Sequence, residues 1–467
     1  MACLAGPLAA WGQGAPEAPT PEGLAPAPEA NPPGLAPPLY QPQAWTAGPF
    51  QVTPQLGLAY GSNSNLRLQP TKPLFSHFHA WMPGLSIVLP DGDQRYELST
   101  RAEITRQLDS PQDNTTNAEL ALDGLNLLDE RTALAWRAVL QDWHDVVGAG
   151  SDDTADHFRA HALAGVLRHD SEDGLLRLEA EFTSSAKRYL NHREQTAQAD
   201  MHTRQAVLRA QHLVAPGVRV GAELRDTHTR YPLEAYAADN GDRRWYATVS
   251  FEPTQAGMPW PLPPLGAPVS SASAEPAEPA AADATPPMPE PSDWPGLPIS
   301  GTLKLGSEHK GFEAYAPYQG YNRRGWKGLS WEGELHWLFE GGHQLDLGLS
   351  RGASDAPGDF VDYQITKRIQ LGGSLRMSER QRLSVSVSRA DARYRGDPFP
   401  LVDPEGFPVI PLLERNDRLD TADFAWRFDL ARNWQLGVNL GWARRQSTLP
   451  FAAFIRRMNS LTLTANL

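Results

Sequence analysis

The residues of this chain that could carry out chemistry form one small cluster, Asp152-Asp153 followed by Asp156-His157. A carboxylate beside an imidazole can act as a base that activates water, and grouped carboxylates can hold a hard cation. The sequence has no His-Glu-x-x-His and no glycine-rich phosphate loop. We therefore expect a solvated loop at this cluster. The expected protein is not an enzyme and has no catalytic residue, no metal and no cofactor.

A larger set of charged residues alternates with apolar residues along several short segments. A period of two places successive side chains on opposite faces of a β-strand, so these charges share one face. We predict that they line a water-filled pore: Arg95, Glu97, Arg101, Glu103, Arg177, Glu179, Glu181, Arg219, Glu223, Arg225, Asp346, Asp423, Arg427 and Asp429. They could pair across neighbouring strands and merely solvate the wall. They could also form a transverse field and a hydrogen-bonding ladder for a polar, polyhydroxylated solute.

The opposite faces of these segments are apolar. Residues 434–442 show this most clearly, because Trp434 and Trp442 bracket three aliphatic residues on one face. Such a face suits a strand that crosses lipid between two aqueous interfaces. The pattern predicts about eighteen strands, over residues 51–60, 78–89, 94–105, 116–127, 132–143, 157–168, 175–184, 202–213, 218–227, 241–252, 300–310, 325–339, 343–351, 361–377, 382–394, 417–430, 434–445 and 454–467.

The connections between these segments alternate between short and long. The short ones have the Gly, Asp and Asn chemistry of hairpin turns, as in Asp91-Gly-Asp93 and Ala215-Pro-Gly217. Short turns at one rim and long loops at the other are typical of an outer-membrane barrel. The predicted fold is therefore all-β, a transmembrane antiparallel up-and-down β-barrel of about eighteen strands in the outer membrane of a Gram-negative bacterium. A soluble all-β protein is the alternative.

Composition agrees with this choice. The 467 residues include no apolar run approaching the roughly 20 residues that a membrane helix needs. The net charge of −13 argues against a nucleic-acid partner. The single cysteine, Cys3, lies near the start, so a mature chain would not rely on disulfides.

Two segments do not fit the wall of a barrel. Residues 16–47 and 253–299 are rich in Pro, Ala and Glu, and we expect both to be disordered. The predicted organisation is a signal-peptide remnant at 1–15, a disordered tail at 16–47, the first part of the barrel at 48–252, a periplasmic linker at 253–299 and the second part of the barrel at 300–467. The linker could be an inert spacer or a tether for periplasmic proteins or peptidoglycan.

Three stretches carry a resemblance to a known group: residues 54–65, residues 96–113 and the turn Leu128-Asp-Glu-Arg131. They resemble the β-barrel porins found beside exopolysaccharide and capsule gene clusters. The similarity runs from about residue 50 to the C-terminus and is interrupted by 253–299. It rests on strand and turn patterns, so it implies the fold more directly than the function. Barrels of this group usually end in an aromatic residue that the assembly machinery reads, whereas this chain ends in Leu467.

Two classes of function remain open. The first, which the resemblance favours, is a porin-like channel for polar solutes that could serve exopolysaccharide export or nutrient uptake. The second is a non-conducting assembly or anchoring protein whose Pro-rich segments recruit periplasmic partners. Expected partners are outer-membrane lipid, the barrel assembly machinery, a polysaccharide and periplasmic proteins. Three loop tyrosines could stack on sugar rings at the outer mouth, namely Tyr315, Tyr318 and Tyr321.

Overall fold

The computed structural model of this chain describes residues 44–92, 94–145, 155–232, 239–252, 299–312, 325–339, 341–355, 362–396, 415–449 and 452–466. Most of these residues belong to β-strands. In chain order the strands are β1 (Trp45–Ala47), β2 (Phe50–Asn63), β3 (Ser76–Asp91), β4 (Gln94–Gln107), β5 (Thr115–Leu127), β6 (Thr132–Asp145), β7 (Asp156–Asp170), β8 (Leu176–Tyr189), β9 (Met201–Ala215), β10 (Val218–Arg230), β11 (Asn240–Phe251), β12 (Ile299–Phe312), β13 (Trp326–Phe339), β14 (His343–Ser354), β15 (Tyr363–Ser378), β16 (Gln381–Arg395), β17 (Asn416–Ala431), β18 (Trp434–Ser447) and β19 (Phe454–Asn466).

The strands form one closed antiparallel barrel. Each strand from β2 to β19 pairs with the next one along the chain, and β19 pairs back onto β2, with Met458 opposite Asn63 and Asn466 opposite Gln55. The short β1 pairs with the start of β2 and is the only strand of the described chain that lies outside this ring. The prediction of an eighteen-stranded up-and-down barrel is confirmed, and each predicted span overlaps one wall strand.

The two faces of the wall differ in chemistry. One face carries large apolar side chains that are exposed, such as Trp81, Leu208 and Trp245. The other face carries charged side chains that are nearly inaccessible, such as Glu223 and Glu308. Only the inner face of a closed barrel can bury its side chains, so the charged face is the interior and the apolar face is the outside.

The connections alternate in length as the sequence predicts. Short turns join β3 to β4, β5 to β6, β7 to β8, β9 to β10, β13 to β14, β15 to β16 and β17 to β18. Four of them contain glycine with positive φ, namely Gly92, Gly174, Gly217 and the pair Gly341 and Gly342. The other strands join at the opposite rim through longer loops. β11 ends and β12 begins at the short-turn rim, so residues 253–298, which lie outside the described residues, connect two points of that rim.

Helix is scarce in the part of the chain that the structure describes. The α-helix α1 (Arg193–Thr196) is a single turn in the loop between β8 and β9, and short 3-10 turns follow it and precede β5. None of these described helices is long and apolar enough to cross a membrane.

A tryptophan on the outer face covers one of two flanking glycines. Trp136 on β6 stands opposite Gly124 on β5 and Gly165 on β7. Its ring leans over Gly124, where an added Cβ would lie 2.2 Å from the ring, and its Nε1 donates to Asn126 at 3.1 Å. At Gly165 an added Cβ would meet nothing closer than 4.0 Å. The glycine at 124 therefore leaves room for the ring.

We predict that Gly124→Ala destabilises the barrel by about 1–3 kcal/mol, because the ring must leave its position. Gly165→Ala is the matched control, and it should leave stability unchanged or raise it by up to about 1 kcal/mol. The measurement is the urea midpoint of unfolding in detergent micelles, followed by tryptophan fluorescence. Equal midpoints for the two variants would contradict the prediction.

Candidate channel interior

All of the predicted pore-lining residues occupy inward positions of the wall. β4 contributes four of them, β8 and β10 contribute six, and β14 and β17 contribute the rest. They are, in that order, Arg95, Glu97, Arg101 and Glu103; Arg177, Glu179, Glu181, Arg219, Glu223 and Arg225; and Asp346, Asp423, Arg427 and Asp429. Their contact with a water-filled path stays a prediction.

Half of the predicted set belongs to smaller, local pairs. Arg95 donates to Glu97 at 3.3 Å, and Arg101 donates to Glu119 of β5 at 3.0 Å. Near the short-turn rim Arg177 contacts both Asp170 and Glu252. Such pairs satisfy the polar groups of the wall across neighbouring strands.

The densest group of charges lies on the inner face of β8 to β13, and we call it the charged wall. Its members are Glu179, Glu181, Arg209, Glu223, Arg225, Asp242, Arg244, Lys304, Glu308 and Glu332. Six of these residues were not among those predicted from the sequence: Arg209, Asp242, Arg244, Lys304, Glu308 and Glu332. The signal for them was present, because each follows the same period of two as its strand.

Glu223 is at the centre of the charged wall. Its side chain is 0% exposed and contacts three cations: Arg209 at 2.7 Å, Arg225 at 2.9 Å and Lys304 at 3.1 Å. Glu332 joins the same network, accepting from Arg225 at 3.0 Å. A buried carboxylate is tolerated only when it is paired and hydrogen-bonded, and this one has three partners from three strands. The network therefore fixes β9, β10 and β12 to one another.

The opposite side of the barrel carries small side chains. In a ring of eighteen strands, β16 to β19 and β2 lie half a turn from β7 to β11. Most of their inward positions in the middle of the wall are small, and we call these the small-residue wall: Gly57, Ala59, Ser384, Ser386, Ser388, Ala425, Gly437, Asn439, Gly441, Ser460 and Thr462. Asp423 and Arg427 of β17 are the charged residues among them. Long paired side chains thus fill one side of the barrel, and short ones leave space on the other.

The loop between β2 and β3, residues 64–75, folds into the outer mouth, and we call it the strap. Leu68, at its middle, is 5% exposed and packs on Ala443 and Phe454, which point inward from β18 and β19. Its φ is +51°, a backbone conformation that costs a leucine about 1–2 kcal/mol. The packing of the side chain must therefore offset that cost. The strap narrows the mouth above the small-residue wall.

Polar contacts hold the first half of the strap on two sides. The buried Asn65 donates through Nδ2 to the carbonyls of Gln69 at 2.8 Å and Ile455 at 3.1 Å. Arg67 reaches Asp113, in the loop after β4, with Nη2 3.1 Å from Oδ2. The strap is thus fixed to β19 on one side and to the next long loop on the other.

The loop that receives Arg67 is itself anchored to the barrel. The backbone N–H of His77, at the start of β3, donates to the Asp109 carboxylate at 2.7 Å. This hydrogen bond lowers the pKa of Asp109, so the carboxylate stays charged over the neutral range.

The small acidic cluster of the sequence does not form a site in the described residues. Asp152 and Asp153 lie outside the described residues, as do Tyr315, Tyr318 and Tyr321. His157 contacts Asp142 of β6 on the outer face of the wall, whereas Asp156 pairs with His192 of the neighbouring loop at 2.8 Å. Within the described part of the chain no group of three or more His, Cys, Asp or Glu residues could hold a metal ion.

The geometry defines the class of protein. A closed barrel with an even number of strands, an apolar belt outside, charges inside and long loops at one rim is a transmembrane barrel of the outer membrane of a Gram-negative bacterium. The backbone groups of the wall strands pair with neighbouring strands all around the ring, which is what a lipid environment requires.

No protein-family model matches the sequence, and no curated protein matches it. Among solved structures, the barrel is similar to OccK3 (OpdO) of Pseudomonas aeruginosa, with 13% identity, a TM-score of 0.39, and coverage of 89% of this chain and 95% of that one. The outer membrane protein OpdK of the same organism has 11% identity, a TM-score of 0.41 and coverage of 89% and 98%. A bacterial polysaccharide outer membrane secretin has 8% identity, a TM-score of 0.33 and coverage of 89% and 98%. At identities this low, the conclusions on function rest on the geometry of this chain.

Proposed function

We propose that this protein is a porin-like, non-enzymatic channel through which polar solutes cross the outer membrane. The observation that carries the proposal is the opposition of the charged wall and the small-residue wall. Barrels of 16–18 strands leave an aqueous channel. Here the long side chains pair on one side, and glycine, alanine and serine on the other side leave the path clear.

The chemistry of the two walls favours a polyhydroxylated solute. A solute in the space between them would meet fixed, paired charges on one side and hydroxyl and amide groups on the other. Both can exchange hydrogen bonds with sugar hydroxyls, and neither offers a large apolar surface. Together with the resemblance to porins found beside exopolysaccharide gene clusters, this supports a saccharide as the solute and a role in polysaccharide export.

The test is the conductance of the refolded protein in planar bilayers, with and without anionic polysaccharide fragments. We expect a conductance on the nanosiemens scale, as for an aqueous pore, and block by the fragments. A fully folded, heat-modifiable barrel that conducts no ions would overturn the proposal. An open channel that the fragments never block would overturn the saccharide assignment alone.

The second candidate is an anchoring protein that recruits periplasmic partners through residues 253–298. It is favoured by one observation: both ends of that segment lie at the short-turn rim, between β11 and β12. Replacing the segment with a short linker separates the two functions. A variant that conducts normally but fails to restore the phenotype of a deletion strain would favour anchoring.

A further inference from the structure

The outer face of the barrel changes from apolar to basic near the long-loop rim. On β11 the exposed Trp245 is followed, two residues nearer that rim, by Arg243. On β18 Trp442 is followed in the same way by Arg444. Tryptophan is enriched where hydrocarbon meets lipid headgroups, so the arginines lie at the height of the headgroups.

Basic residues occupy this height on strands all around the barrel, and we call them the basic collar. They are Arg106, Arg159, Arg188, Arg204, Arg230, Arg243, Lys327, Arg351, Lys367, Arg389, Arg393, Arg395, Arg418, Arg444 and Arg457. The acidic residues at outward positions of the same region are fewer: Asp142, Asp226, Asp391 and Asp420. The chain as a whole has 55 acidic and 42 basic residues, so the collar runs against the composition.

Pairs of consecutive basic residues show that the side chains of the collar point outward. Arg444 is exposed and Arg445 is buried, and Arg457 is exposed while Arg456 is buried. At the short-turn rim, the outward positions of the described wall strands carry no arginine or lysine. The basic charge of the outer face is therefore confined to the end that faces the outer leaflet.

Four aspartates of the same region each accept a hydrogen bond from a collar arginine. The donor is the Nε atom of an arginine on a neighbouring strand: Asp142 accepts from Arg159 at 2.8 Å, Asp226 from Arg243 at 3.1 Å, Asp391 from Arg418 at 2.8 Å and Asp420 from Arg389 at 2.6 Å. These arginine side chains remain 48–70% exposed. The contact through Nε orients the guanidinium group and leaves much of it free to bind another anion.

The collar is densest on β14 to β18. Arg351 stands opposite Lys367, and Arg389 and Arg444 both stand opposite Asp420. Arg351 and Lys367 are on neighbouring strands, about 4.8 Å apart, whereas Arg389 and Arg444 are two strands apart and share the single Asp420 between them. The cations of this region therefore outnumber the anions, and a bound anion would relieve their repulsion.

We propose that the basic collar binds phosphate groups of anionic lipid headgroups in the outer leaflet, with its main site on β14 to β18. The collar borders the apolar belt directly, so a lipid whose acyl chains lie on the belt brings its headgroup to the arginines. A guanidinium group can bind a phosphate through two parallel hydrogen bonds. The proposal is independent of whether the barrel conducts.

The test uses the full-length protein in nanodiscs with lipid A, and counts retained lipid by native mass spectrometry. The variant is Lys367→Gln, Arg389→Gln, Arg444→Gln. The matched control carries the same three charge changes at the short-turn rim, as Arg131→Gln, Arg380→Gln, Arg432→Gln. We expect the collar variant to bind lipid A roughly ten- to a hundred-fold more weakly than the control. Heat-modifiable migration shows that both variants fold.

Measurements with dephosphorylated lipid A and with inorganic phosphate identify the group that is bound. Dephosphorylated lipid A should bind the unaltered protein as weakly as lipid A binds the collar variant. Equal retention of lipid A by the collar variant and its control would overturn the proposal. Equal binding of the phosphorylated and dephosphorylated lipids would overturn it as well. So would binding of millimolar inorganic phosphate by a protein that retains no lipid.

Discussion

Replacing Glu223 with leucine should destabilise the barrel by about 3–5 kcal/mol, the usual cost of removing one partner of a buried ion pair. The carboxylate of Glu223 is 0% exposed and contacts Arg209, Arg225 and Lys304. Without it, three cations face one another in a confined space with less compensation. The measurement is urea unfolding of the refolded protein in lipid vesicles, followed by tryptophan fluorescence.

A residue beside the charged wall supplies a matched control for this change. Glu334, on β13, also points inward, but its side chain is 62% exposed and it pairs with His336 at 3.3 Å. An exposed pair contributes about 0–1 kcal/mol, so Glu334→Leu should be nearly neutral. If Glu223→Leu does not refold, the double variant Lys304→Met, Glu223→Leu should recover part of the stability, because it removes one cation while Glu332, its other partner, keeps Arg225 and Arg244. Equal unfolding midpoints for the Glu223 and Glu334 variants would show that the network does not stabilise the fold.

Most of the wall could be predicted from the sequence, because a strand between lipid and lumen must alternate strictly. The largest error in a predicted strand boundary lies where this alternation is lost. β8 continues to Tyr189, five residues past the predicted end at 184. The last residues of β8 toward the rim include Ser184, Ser185 and Lys187, so this end of the strand is polar on both faces. Above the apolar belt the outer face no longer needs to be apolar, so hydrophobicity alone does not mark the end of a strand.

The interior could be predicted only in part. Period two identifies which residues of a strand point inward, but it does not show which strands lie opposite each other across the lumen. That depends on closure, through the pairing of β19 with β2. The contrast between the charged wall and the small-residue wall appears only once the ring is closed. The pairing of Glu223 with Lys304 depends instead on the register of β10, β11 and β12.

The strap illustrates the same limit for a loop. The sequence predicts residues 61–77 as a long outer loop, which is correct. Nothing in it indicates that Asn65 donates to the carbonyl of Ile455, some 390 positions along the chain. Leu68 also reads as an ordinary loop leucine until Phe454 and Ala443 are brought beneath it.

Releasing the strap should raise the conductance of the channel severalfold. We suggest replacing residues 66–73 with a short Gly-Ser linker, which removes the contacts of Leu68 and Arg67 while leaving β2 and β3 paired. The physical reason is that the strap packs on the inner face of β18 and β19, above the small-residue wall, where the inward side chains are short. The measurement is single-channel conductance in planar bilayers at fixed salt.

Two point variants test whether the anchored position of the strap, and not only its presence, sets the conductance. Asn65→Ala removes the hydrogen bonds to Gln69 and Ile455, so the strap should detach intermittently, and the current should switch between the wild-type and strap-free levels. Lys72→Ala is the control, since Lys72 is exposed on the same loop and has a left-handed backbone conformation like that of Leu68. A strap-free barrel with unchanged conductance would show that ions do not pass beneath Leu68. The narrowest part of the path would then lie deeper, beside the long side chains of the charged wall.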